Sequence, residues 1–276
     1  MDTHTAPAKL NLCLYLGPRH ADGYHELASI FEPLALHDTV SVEPAAADEV
    51  VCEGVGGENL ATVALRLLRS EGWAADPVRI SIMKRIPVAA GLGGGSADAA
   101  AVLRLGVGEV EDLAALAAMI GADVPSQIDP MACLVEGIGQ KLTSLPEPAE
   151  HWVVLLPFEE GLSTADVFAH ADRLGSGRSL DELREISGRL WAVASNAVSP
   201  LAYPGLLVND LERSAISLKP EIGLAKERLQ AAGARFVGMT GSGPTVFGLC
   251  VNRGEAELVA TEVGPEAIVC QGGVGA

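Results

Sequence analysis

Apolar positions change period several times along the chain, and the changes mark out its elements. Residues 10–16 are a short apolar run that reads as a strand, followed by a turn-rich stretch at 17–23. Residues 39–43 read as another strand. Over residues 59–73, Leu60, Val63, Ala64, Leu67 and Leu68 recur at helical spacing and predict an amphipathic helix. Residues 79–83 alternate instead, with Ile80 and Ile82 on one strand face. Pro87 stops that strand, glycines follow, and residues 96–105 predict a helix. A further helix is expected at 111–120, ended by Gly121.

Pro146 and Pro148, with acidic residues around them, make 145–151 the expected boundary between two domains, 1–150 and 151–276. Beyond it, residues 152–156 form a continuous apolar strand. Helices are expected at 179–189 and 221–232, strands at 235–237 and 245–251 flank a second glycine-rich turn at 240–244, and 255–263 reads as a last helix. Mixed helix and strand signals in both halves point to α/β or α+β.

With 276 residues, 49% of them apolar, the chain can bury a sizeable core, and at 4% aromatic that core must be mostly Ala, Val, Leu and Ile. No apolar run reaches the ~18 residues that would span a bilayer. The N-terminal residues lack the basic-then-apolar order of a signal peptide, so a cytoplasmic protein without membrane association is expected. A formal charge of −17 argues against nucleic acid or an anionic membrane as partner. A phosphorylated small molecule could still bind, given local N–H groups and a few cations. The five cysteines are scattered, odd in number and without a CxxC pair, which supports neither a disulfide framework nor a metal site.

The densest chemical signal is Pro87, Val88, Ala89, Ala90, Gly91, Leu92, Gly93, Gly94, Gly95, Ser96 and Ala97, between a predicted strand and a predicted helix. Four glycines in five residues permit positive φ and close approach of a ligand to the backbone. Ser96 is the expected N-cap, and the unpaired N–H groups behind it make an anion site. A Walker A loop would need Gly-Lys-Ser/Thr where Gly95-Ser96-Ala97 stands, and the dinucleotide spacing fails at Ser96 or Asp98. A turn chosen only for its geometry is the competing reading.

Three ordered motifs carry a resemblance: Ala6-Pro7-Ala8-Lys9-Leu10-Asn11, the loop through Ala100, and the segment from Gly238 to Thr245 with Thr240-Gly241-Ser242-Gly243-Pro244 at its centre. Together they resemble the GHMP kinase superfamily. The resemblance implies a two-domain α+β fold, with an N-terminal domain of a ribosomal-protein type, a ferredoxin-like C-terminal domain and a cleft between them. It also implies ATP as phosphoryl donor, with Mg2+ held mainly by the nucleotide phosphates. Asp22-Gly23-Tyr24-His25-Glu26-Leu27 and Gly121-Ala122-Asp123-Val124-Pro125 are similar to a branch whose small-molecule substrate carries a cytidyl diphosphate group.

On that resemblance, the loop with Ser96 anchors ATP, and Asp123 accepts or orients the proton of the acceptor hydroxyl beside Lys9. Tyr24 stacks on the cytosine, and His25 makes a polar contact with its edge. Phe168 is a second stacking aromatic and Thr164 a substrate-side contact. Asn11 is expected on the substrate diphosphate or on Asp123, and Asn59 and Lys84 near the nucleotide base. Ser126 and Gln140 depart from the residues usual in the family. A monomer or homodimer is expected. The alternatives are a GHMP kinase of the mevalonate or homoserine type and a non-catalytic nucleotide-binding regulator.

Overall fold

The computed structural model describes residues 2–55 and 59–274. Seven strands build the first sheet: β1 (Asp2–Asn11), β2 (Tyr15–Arg19), β3 (His25–Pro44), β4 (Glu49–Cys52), β5 (Val78–Met83), β6 (Cys133–Gly137) and β7 (Lys141–Ser144). The 20-residue β3 is its spine. One edge of β3 pairs in succession with β2 and β1, and the other with β6 and β5, all antiparallel. A second, fully antiparallel sheet has the order β11 (Ile268–Gln271), β8 (Trp152–Leu156), β10 (Val246–Cys250), β9 (Phe236–Met239).

Helices α1 (Leu60–Ser70), α2 (Gly94–Leu103), α3 (Leu113–Ile120) and α4 (Val124–Ile128) accompany the first sheet. Helices α5 (Thr164–Leu174), α6 (Leu180–Ala194), α7 (Glu212–Leu218), α8 (Glu221–Ala231) and α9 (Arg253–Val263) follow β8. The fold is therefore α+β, with two sheet-containing domains. The Ala-rich α2 packs against α1, α4 and β1 and is buried from Ala97 to Leu103. Among the described residues no helix is long and apolar enough to cross a membrane.

The two sheets share one core. Leu10, Leu12, Ile30 and Leu34 of the first domain pack in the same cluster as Val153, Leu155, Phe247 and Leu249 of the second. Chain 12–14 crosses between them: Leu12 N–H donates to Ile30 O (2.9 Å), and Leu14 N–H to Val208 O (2.8 Å). Here the structure corrects the single strand expected at 10–16. Residues 6–17 are buried without interruption, so hydrophobicity carries no phase to mark where β1 ends and β2 begins. The strand expected at 39–43 is the last part of β3, whose residues 28–34 are likewise all buried. Strands β4, β6, β7 and β11 and helices α4, α5 and α7 stand where no element was expected.

At the junction of the sheets, His151 Nε2 lies 3.0 Å from Glu32 Oε2, with both side chains fully enclosed. Its Nδ1 lies 3.1 Å from Ala149 O. Both neighbours offer acceptor oxygens, so the protonated ring can donate from both nitrogens. Burial alone would lower the His151 pKa, but the hydrogen bond and charge of Glu32 outweigh it and raise the value. A raised histidine stabilises the fold fully below its unfolded pKa and loses that contribution as pH rises through the folded value. The urea midpoint should therefore fall as pH is raised above about 6.5, the unfolded histidine value, and His151→Gln should flatten that slope. A midpoint independent of pH in the wild type, or an equal slope in the variant, would refute the assignment.

Candidate active site

The loop after β5 reaches its place through three left-handed residues, Ala89 (φ 57°), Gly91 (φ 78°) and Gly93 (φ 70°). A Cβ on Gly91 would lie 2.8 Å from Gly243 O, and one on Gly93 2.7 Å from Lys9 Cγ. Glycine is required at both positions, by backbone sign and by contact. Gly93 also serves as the N-cap of α2, which corrects Ser96 as cap and the helix expected at 96–105. A glycine in the left-handed region can turn the chain into the helix, so α2 starts earlier and Ser96 is its third residue. The helix also ends earlier, passing at Arg104–Gly106 into a 3-10 turn. Ala97 N–H donates to Gly93 O at 2.9 Å. The N–H groups of Gly94, Gly95 and Ser96 precede that bond at the positive end of the helix dipole, so donors without an intrahelical acceptor still open the helix, with a different cap.

Lys9 follows a register shift in the β1–β3 pairing, and its own N–H donates to Leu92 O at 2.9 Å. The side chain is buried. Its ammonium donates to Asn11 Oδ1, stands 3.4 Å from Asp123 Oδ2 and lies 4.7 Å from the centre of the Phe31 ring. Asp123 immediately precedes α4, with its carboxylate 36% exposed. Asn11 is locked in turn: its N–H donates to Thr240 Oγ1 (2.9 Å) and its Nδ2 to Ser29 Oγ (3.1 Å). The amide thus holds Lys9 and Ser29 rather than Asp123. Ser126 Oγ donates to Asp123 O at 2.8 Å, so this departure from the family pattern lies behind the carboxylate. Gln140 Oε1 accepts from Ile138 N–H at 2.6 Å in the turn after β6.

A cavity of about 640 Å³ gathers Lys9, Asp123, Gly93 and Ser96 at one end with Tyr24, His25 and Phe168 at the other. Tyr24 is 58% exposed. His25 is buried; its ring centre lies 5.4 Å from that of Phe168 with the planes at 41°, and its Nε2 donates to Asp172 Oδ1 at 2.7 Å. Thr164 Oγ1 and Ser242 Oγ share a hydrogen bond of 2.8 Å, joining the start of α5 to the 240–244 turn at the cavity wall.

A second cavity of about 280 Å³ is lined by loop residues 87–96 together with Asn59, Lys84 and Asp98. Asn59 Oδ1 accepts from Thr62 N–H (2.8 Å) and Thr62 Oγ1 (3.0 Å), which caps α1. Lys84 bonds Asp38 and Asp98, the latter at 2.7 Å. Its ammonium lies beneath Gly94, where an added Cβ would approach it to 3.2 Å. Its charge is spent on two carboxylates under the loop. Burial raises the Asp98 pKa to about 6, with Lys84 opposing the shift. The two carboxylates in turn raise Lys84 against its own desolvation.

Several residues that shape the site carried no readable signal. Phe31 and Ser29 reach Lys9 or Asn11 through strand pairing between distant segments, whereas Thr240, in the glycine-rich turn the sequence does mark, reaches Asn11 across the two domains. Asp172 lies one helical turn beyond Phe168 on α5, a spacing that could have been used had that helix been recognised.

Residues 59–137 match the family described as GHMP kinases N terminal domain, and residues 178–269 match GHMP kinases C terminal. A 4-diphosphocytidyl-2-C-methyl-D-erythritol kinase of Nocardia farcinica is 39% identical, over 94% of this chain and 88% of its own length. The enzyme of that name from Mycolicibacterium gilvum is 41% identical, over 95% and 85%. A crystal structure of 4-(cytidine 5'-diphospho)-2C-methyl-D-erythritol kinase aligns with a TM-score of 0.82 at 35% identity, covering 99% of this chain and all of that one. A homoserine kinase from Cytophaga hutchinsonii has a TM-score of 0.70 at 16% identity, over 97% and 92%, and shares the fold alone. A glycine-rich loop at a helix start, an acid–lysine pair in the same cavity and these likenesses converge: the chain is a kinase that belongs to the GHMP kinases, in the family of the 4-diphosphocytidyl-2-C-methyl-D-erythritol kinases.

Proposed function

We propose that the protein transfers the γ-phosphoryl group of ATP to the 2-hydroxyl of 4-diphosphocytidyl-2-C-methyl-D-erythritol, giving ADP and the 2-phosphate, in non-mevalonate isoprenoid precursor biosynthesis. One observation carries the reading. The Lys9–Asp123 pair and the start of α2 open onto the same cavity as an aromatic and imidazole cluster suited to a nucleobase.

Phosphoryl transfer needs positioning and charge stabilisation more than covalent chemistry. The N–H groups of Gly94, Gly95 and Ser96 hold the phosphates of ATP. Asp123 orients the acceptor hydroxyl and takes its proton. A carboxylate is too weak a base to ionise an alcohol beforehand, so the proton moves late, as the oxygen–phosphorus bond forms. Lys9 pairs with that carboxylate at 3.4 Å and offsets charge developing on the transferred group. Asn11 and Phe31 restrict where its ammonium can go.

Among the described residues no group of three His, Cys, Asp or Glu side chains could hold a metal ion. The cavity does offer the hard oxygens that magnesium takes, above all the Ser96 hydroxyl, with phosphates and water completing the set. Bound with ATP, the ion neutralises phosphate charge. At the far end, Tyr24 and Phe168 supply aromatic faces for the cytosine, and His25 a polar group at its edge.

The Lys9–Asp123 pair weighs against a non-catalytic regulator, which has no need of a base. Offering 4-diphosphocytidyl-2-C-methyl-D-erythritol, mevalonate and homoserine in parallel with ATP should yield product from the first. Phosphorylation of either other alcohol alone would refute the substrate assignment. Asp123→Asn should lower kcat by about 10²–10⁴-fold with little change in ATP affinity; retained turnover would remove Asp123 from its role. Tyr24→Ala should raise KM for the cytidyl substrate by about 5- to 100-fold and leave KM for ATP unaltered. Equal KM values for the cytidyl substrate in variant and wild type would count against stacking.

A further inference from the structure

We propose that Asp172 is a positioning residue that makes the site select cytosine over uracil, by holding His25 in a single tautomer. The proposal rests on the cytidyl substrate assigned above and extends it to a residue outside the motifs.

The geometry begins with His25, which is enclosed on β3 while lining the cavity. Its Nε2 stands 2.7 Å from Asp172 Oδ1. A carboxylate oxygen accepts, so Nε2 carries the hydrogen. In the neutral ring the remaining nitrogen, Nδ1, is then bare and can only accept. Among the described residues Nδ1 takes no hydrogen bond from the protein, which leaves its lone pair for a ligand. Phe168 fixes the ring plane from the same helix, one turn before Asp172. Arg19 Nε lies 3.8 Å from the other oxygen of Asp172, and Arg19 pairs directly with His25 across β2 and β3. The carboxylate thus bonds the imidazole through one oxygen and faces a loose ion-pair partner at the other, and the imidazole has one orientation and one donor–acceptor sense.

Cytosine and uracil present almost the same face for stacking, so Tyr24 and Phe168 cannot separate them. Their pairing edges differ. Cytosine carries one donor there, the 4-amino group, with acceptors at N3 and O2. Uracil has a carbonyl oxygen at position 4 and its donor at N3. A fixed acceptor aimed at position 4 bonds the amino group of cytosine and faces the oxygen of uracil lone pair to lone pair. Without Asp172 the ring could protonate on Nδ1 instead, and the same position would then accept uracil.

The test uses the full chain with ATP and two substrates, the cytidyl diphosphate compound and its uridyl counterpart. In the wild type the ratio of kcat/KM values should favour cytidyl by at least about 100-fold. Asp172→Ala should lower that ratio at least about tenfold, through a higher KM for the cytidyl substrate and a lower one for the uridyl. The kcat at saturation and the KM for ATP should stay within about twofold of wild type, since Asp172 touches neither Lys9 nor the phosphate loop. Asp172→Asn, which keeps one acceptor oxygen at the same place, should restore part of the ratio. In addition, 15N NMR of the imidazole in the wild type above the histidine titration range should show Nδ1 unprotonated.

An Nδ1–H tautomer in the wild type would overturn the proposal, whatever the kinetics of the variants. So would a wild type that uses both substrates alike, or an Asp172→Ala variant that loses both in the same proportion, the mark of a purely structural contact between α5 and the β2–β3 hairpin. Failure of the substrate reading looks different: the wild type would phosphorylate neither pyrimidine compound, and both proposals would fall together.

Discussion

An ammonium group taken out of water must be compensated by several partners at once, or it destabilises the fold by several kcal/mol. Lys9 sets that condition at the centre of this protein. Its buried charge is met by the Asn11 oxygen, the Asp123 carboxylate and the face of Phe31. Each partner is itself tied down. Asn11 is held by Ser29 of β3 and Thr240 of the second domain, and Ser29 Oγ donates onward to Cys13 O at 2.5 Å. Compensation of one charge therefore draws β1, β3, the start of α4 and the 240–244 turn to a common point. Gly93 belongs to the same constraint, because a side chain there would collide with the stem of Lys9.

That convergence accounts for a site built between domains. The spine strand β3 carries Phe31 toward Lys9, while the neighbouring Glu32 meets His151 at the head of β8, as alternation along a strand requires. The shared apolar cluster holds the sheets together, and the glycine loop touches the second domain where Gly91 meets Gly243. The cavity wall is then closed by Thr164 with Ser242 and by Phe168 of α5, while Asp172 on the same helix holds His25.

Electrostatics work locally against an unfavourable whole. A chain of net charge −17 repels ATP and a diphosphate substrate at long range. In the function proposed above, binding comes from groups within a few ångström: the opening N–H groups of α2 and Lys9. Lys84 contributes less than its charge suggests, since Asp38 and Asp98 flank it. Its service is to the shape of the loop, whose underside it supports at Gly94.

The candidate site of this protein was legible in its residues because close-packed motifs are local. The loop from Pro87 to Ala97, Lys9 and Asn11 in one short segment, and Asp123 beside Gly121 and Pro125 can be read without knowing what lies across from them. Regular elements with a polar face were equally plain, as at α1, β5 and α8. Where both faces are buried the period vanishes, and β1, β2 and most of β3 could not be delimited from sequence. Capping by Gly93 was hidden for another reason: a glycine shows no side chain with which to announce a cap, and Ser96 does. Tertiary structure alone decided which residues meet. The approaches of Thr240 to Asn11, Asp172 to His25, Glu32 to His151 and Phe31 to Lys9 are set by sheet pairing and interdomain packing. Such long-range pairings leave no mark on the local pattern of either partner.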